Sequence, residues 1–144
     1  MLRKHPAKAT AIVIGFTLLT SCAGVVSDDY VIENDPGHVK HIPGSDLGRV
    51  ILTAAAAERL GIRTAMVSTA RKYLVVPTTA VFVDPDGVWW VYTSPAPHEF
   101  VRHEISIERE HDGLAVLTAG PSDGTEVVTV GVAELYGVEA AVGH

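Results

Sequence analysis

From Val50 onward the hydrophobic positions come in short runs punctuated by Gly, Pro and Asp, a rhythm of strands and tight turns. Val50-Ile51-Leu52 is the first run. Thr53 follows as a helix N-cap, Ala54-Ala55-Ala56-Ala57-Glu58-Arg59-Leu60 forms helix readily, and Gly61 stops it. Two turns are not stable alone, so this helix must dock on another element. Residues 62–67 then read as extended. Lys72-Tyr73-Leu74-Val75-Val76 ends at Pro77, and Thr78 to Val83 follows. Asp84-Pro85-Asp86-Gly87 carries Pro at i+1 and Gly at i+3 of a type I turn, and Val88 to Thr93 returns as a hairpin partner. Residues 94–97 break the pattern, 100–108 resume it, and His111-Asp112-Gly113 turns the chain into 114–118. A loop through Gly120 and Gly124 leads to the last run, 126–130. The predicted class is mainly β: a small antiparallel barrel or sandwich with one short helix.

Upstream the pattern changes. Residues 23–49 show no sustained periodicity and contain Asn34-Asp35-Pro36-Gly37 and Pro43-Gly44-Ser45, which are linker signals. Such a tether reaches about 30 Å. A second reading packs Tyr30-Val31-Ile32 as an edge strand. Before it, Arg3, Lys4 and Lys8 precede the apolar core Ala11 to Leu19, the layout of a secretory signal over residues 1–21. That core rises about 14 Å as a helix, against about 30 Å of bilayer hydrocarbon, so it reads as a signal and not as a span. Leu19-Thr20-Ser21-Cys22 resembles the lipobox of bacterial lipoprotein signals. That resemblance implies lipidation of Cys22 and a membrane anchor on the extracytoplasmic side of the cell envelope.

Composition narrows the chemistry. The chain has 144 residues, 47% hydrophobic, with 21 valines and a net charge of −6. Without residues 1–21 it carries 8 basic against 17 acidic residues, hence −9. This charge excludes nucleic acid as a partner, since phosphates demand a basic face. One cysteine excludes an internal disulfide and a multi-cysteine zinc site. No G-x-S-x-G elbow occurs, so no enzyme and no cofactor is expected. Asp84-x-Asp86-Gly87 lacks the spaced donors and closing glutamate of a calcium loop. His98, His103 and His111 are the candidate metal ligands. His103 alternates with Val101, Ile105 and Ile107, which points it to the inner face of its strand as a hydrogen-bonded structural residue or a ligand. Trp89, Trp90 and Tyr92 form the most aromatic stretch. One tryptophan enters the core and the other faces outward, either as a partner surface or as cover within the domain.

Taken in order, these residues resemble a known family. Pro77-Thr78-Thr79-Ala80-Val81 with the hairpin to Tyr92, then Phe100-Val101-Arg102, Val116-Leu117, Gly120, Gly124, Val127-Val128, Gly131 and Ala133-Glu134-Leu135 are similar to the periplasmic adaptor subunits (membrane fusion proteins) of tripartite efflux pumps. Leu52 to Thr64 resembles the opening of the heavy-metal-efflux branch. The resemblance covers roughly residues 50–137 and implies that 71–137 form a permuted SH3-like membrane-proximal β domain. In that family this domain docks on an inner-membrane transporter. It also implies turn roles for Gly87, Gly120, Gly124 and Gly131.

The chain departs from the family in three places. Gly120-Pro121 replaces Gly-Leu, Glu108 stands where a glycine is usual, and 64–71 joins directly what complete adaptors separate by a lipoyl domain, an α-hairpin and a main barrel. The resulting organisation is a signal (1–21), a lipid-anchored linker (22–49), a short helix and connecting strand (50–70), the β domain (71–137) and a tail (138–144). The functional expectation is a non-catalytic accessory or reduced adaptor bound to an efflux transporter. The rivals are an envelope metal-binding lipoprotein using the histidines and a remnant without function. The sequence leaves oligomeric state open.

Overall fold

A computed structural model describes residues 35–142. The signal, Cys22 and the Tyr30–Ile32 run lie outside these residues. Eleven strands form two antiparallel sheets, and neither closes into a barrel.

The helix expected after Val50 is present. Strand β2 (Gly48–Leu52) leads to Thr53, whose hydroxyl accepts the Ala56 N–H at 3.1 Å and caps α1 (Ala54–Arg59). Gly61 follows at φ +64°, and buried Ala56 and Ala57 dock the helix on the sheet. Strands β3 (Arg63–Met66), β4 (Ser68–Ala70) and β5 (Tyr73–Pro77) come next, then a 3₁₀ turn at Thr78–Ala80 and the short β6 (Phe82–Val83). The Asp84–Gly87 turn closes with Gly87 N–H donating to Asp84 O at 3.0 Å, and β6 pairs with β7 (Trp89–Ala96) as a hairpin. Strands β8 (Glu99–Glu104), β9 (Ser106–His111), β10 (Leu114–Ala119) and β11 (Glu126–Val130) complete the β structure.

Two expectations are corrected at the ends. The linker does not extend to residue 49, because β1 (Gly37–His41) pairs with β2 around the Pro43–Ser45 turn. This strand holds one strongly apolar residue, Val39, so it lacked a period-2 signal. The expected tail is helical through residue 142. Residues Val132–Val142 form a second helix, α2, which lays Leu135 and Glu139 onto the sheet.

The larger sheet runs β1-β2-β8-β7-β11-β3, with β6 beside β7, and the smaller runs β4-β5-β10-β9. Successive strand residues point to opposite faces, and this sheet buries both. Tyr92 and Val128 join Val50, Leu52, Phe100 and Leu135 under the two helices. Their neighbours Val91 and Val127 join Val76, Ala115 and Leu117 between the sheets. The chain passes from one sheet to the other at Val67 and again at Ile105. Both corner residues are buried in the inter-sheet core.

Candidate functional site

The densest polar arrangement sits where α2 crosses β7 and β8. Glu139 is the one buried charged side chain among the described residues, only 6% exposed. The alternation that buries Tyr92 on the helix face brings its hydroxyl to Glu139, donating to Oε2 at 2.6 Å. Arg102, ten residues along the paired strand, lies directly opposite Tyr92 and sends Nε to within 3.0 Å of both carboxylate oxygens. The Gly48 N–H adds a longer bond to Oε1 at 3.4 Å. One β2 amide, one β7 phenol and one β8 guanidinium thus converge on a single α2 carboxylate. Burial first, and then the hydrogen bond to Glu139, push the Tyr92 phenol above its ordinary pKa. Tyr92 thus serves the Glu139 carboxylate as a hydrogen-bond donor.

The network continues outward through aromatic faces. The Arg102 guanidinium stacks 4.8 Å from the Trp90 ring and 5.9 Å from the Tyr136 ring. Trp90 Nε1 donates to Asp84 Oδ2 at 2.8 Å, while Asp84 Oδ1 accepts from the Val88 N–H at 2.9 Å and the Asp86 N–H at 3.0 Å. The Val88 amide above all, with the Trp90 indole, the Asp86 amide and the Arg102 charge, holds the Asp84 carboxyl below its usual pKa despite some desolvation. Its oxygens serve the turn and the indole. An open groove runs over this surface between the β1–β2 turn and the Asp84–Gly87 turn, walled by Asp46, Trp90, Arg102 and Glu104.

The aromatic expectation needs correction. No tryptophan enters the core: Trp89 is 42% exposed and Trp90 half-buried against Arg102. Tyr92 is the aromatic that is fully buried, so it is no partner surface. Trp89 stays outside, directly paired with exposed Val83. Gly87, Gly124 and Gly131 take positive φ, as turns require. Gly120 does not; a Cβ there would press on Leu117 and Ile105, so its role is close packing.

The histidines are dispersed. His98 occupies the β7–β8 turn at φ +62°, and His111 is exposed at the end of β9, 3.0 Å from Asp112. His103 lies opposite buried Val91, on the inter-sheet face that its alternation with Val101 and Ile105 predicts, but its side chain is exposed there. Among the described residues no three His, Cys, Asp or Glu side chains gather in a metal-binding arrangement.

Sequence reasoning missed Glu139, Arg102, Asp84 and Tyr136 as a connected set. One signal was available. Val132, Leu135, Tyr136 and Glu139 follow i, i+3, i+4, i+7, a helix stripe ending in a carboxylate.

Fold and site together define a mainly β domain with a helix locked on by an internal ion pair. No protein-family model matches the chain, and no curated protein matches it.

Proposed function

We propose that the chain is a lipid-anchored, non-catalytic accessory or reduced periplasmic adaptor that docks through its β unit on the extracytoplasmic face of an efflux transporter. The observation that carries this reading is the way the two stretches of family resemblance meet. Residues 52–64 precede the point where complete adaptors carry their long insert, and 71–137 follow it. Here Arg63 and Thr64 of β3 pair with β11, so both stretches share one sheet. A tight turn at Arg71–Lys72, with Arg71 at φ +58°, joins β4 to β5 at that point. The docking unit thus needs no inserted domains to complete its sheet.

The chemistry of the polar cluster supports the same reading. The Glu139 carboxylate is engaged by Tyr92 and Arg102, and the Asp84 carboxylate by its own turn and Trp90. These groups hold elements together, and none is presented with a free proton acceptor beside a nucleophile. The net charge leaves membrane attachment to the lipid on Cys22, because an acidic domain gains nothing from an anionic surface.

Crosslinking the full chain in its native membranes tests the proposal. A transporter subunit is the expected adduct, and Cys22→Ser moves the chain out of the membrane fraction and lowers the yield. Recovery of no membrane transporter contradicts the docking role, and unchanged membrane association of Cys22→Ser contradicts the anchor.

A further inference from the structure

We propose that the open edge at β3 accepts an extended strand of the partner protein, which adds to the larger sheet by main-chain hydrogen bonding. This rests on the docking role above and names its mode. The outermost strand of a sheet carries unpaired N–H and C=O groups that template another strand. At β3 their direction follows from the neighbouring bonds. Val67 N–H donates to Thr125 O at 2.8 Å, Val67 O accepts from the Gly124 N–H at 2.9 Å, and Arg63 O accepts from the Thr129 hydroxyl at 3.3 Å. Positions 63 and 67 therefore face the β11 side, and the antiparallel alternation turns the amide groups of Thr64 and Met66 outward.

Length and composition together separate this strand from the other edges: β4 is uncharged but has only three small residues, and β6 has only two. Strand β9 ends in the ionisable run Glu108 to His111, and β1 carries two histidines and a lysine, the kind of side chains that discourage edge pairing. Strand β3 carries a single charge, Arg63. Met66, 59% exposed, is the most exposed large hydrophobic residue among the described residues. Arg63 forms no ion pair among them. The fitting occupant is an extended protein segment with an acidic side chain opposite Arg63 and an apolar one opposite Met66.

The test places a photocrosslinking amino acid at Met66, or at Glu110 on β9 as control, in the full chain in native membranes. Position 66 is expected to label a transporter subunit about tenfold more than position 110, and Thr64→Pro, which removes the outward N–H, to lower that yield about tenfold. Because Thr64→Pro also perturbs a strand, Arg63→Glu is the second variant; it lies on the surface and is expected to lower the yield severalfold. Equal labelling at both positions overturns the edge proposal, as does a yield at 66 that neither variant changes. Labelling only of a second copy of the chain overturns it too. A general surface crosslinker separates the two readings: if it recovers the transporter while position 66 stays silent, the edge fails and the docking role stands; if neither recovers it, both fail.

Discussion

The two faces of the larger sheet are made from alternate residues of the same strands, yet different interactions hold them. Toward the smaller sheet, Val91 and Val127 meet Val76, Ala115 and Leu117 of that sheet, with Val67, Ala80 and Ile105 filling the corners, all apolar and all buried. Toward the helices the core is also apolar, but it closes on the Tyr92–Glu139–Arg102 network. The inter-sheet face works by shape and burial, a term of about 25 cal/mol per Å² of apolar area. The helix face accepts the desolvation of an ion pair and obtains a fixed position for α2, whose Gly137 and β-branched valines make it a weak helix on its own. Phe82, stacked on Tyr92 at 5.2 Å and tilted against Tyr136 at 5.5 Å, extends that fixed position into the aromatic layer.

Breaking each face separately sharpens the contrast. Arg102→Ala leaves the Glu139 carboxylate buried without its cation and is expected to cost about 3–5 kcal/mol in denaturant unfolding. The triple replacement Arg102→Met, Glu139→Leu, Tyr92→Phe removes the network as a unit and is expected to recover most of that loss. A triple variant as unstable as the single one contradicts the view that the cost lies in stranding a charge. On the opposite face Leu117→Ala is expected to cost about 2–5 kcal/mol through its cavity, with no such rescue by polar substitution.

Smaller effects follow from pH and backbone. Tyr92→Phe is expected to cost about 1–3 kcal/mol at neutral pH by taking a donor from a buried carboxylate. Because the folded phenol titrates above its unfolded value, its stabilisation is complete below about pH 10 and is lost as pH rises beyond it. Thermal melts of wild type are therefore expected to fall more steeply than those of Tyr92→Phe in alkali. Gly131→Ala is expected to cost more than about 1 kcal/mol, since φ +92° is strained for alanine and a Cβ would meet Ile62. The smallest effect is at acid pH. The folded Asp84 carboxyl titrates below its unfolded value, so its contribution holds above about pH 4 and is lost as pH falls through the folded pKa. Asp84→Asn is expected to flatten the acid limb of the melting profile slightly.

Local signals were legible in the sequence and distant ones were not. Thr53, the alanine run and Gly61 mark α1, and Asp84 to Gly87 marks its turn, because caps and turns depend on residues a few positions apart. Strand β1 was hidden by its edge position, where one valine suffices to pack. Helix α2 was hidden because its stability comes from tertiary contact and its stripe ends in a charge. The Glu139 network gathers donors from positions 48, 92 and 102, so no local motif contains it.

The proposed docking role is tested most directly by mass spectrometry of what co-purifies with the full chain after gentle solubilisation of intact cells. The account predicts one transporter subunit as the dominant membrane partner, its recovery reduced by Cys22→Ser and by Arg63→Glu. A chain that purifies with no transporter, or with the same proteins whether anchored or released, contradicts it.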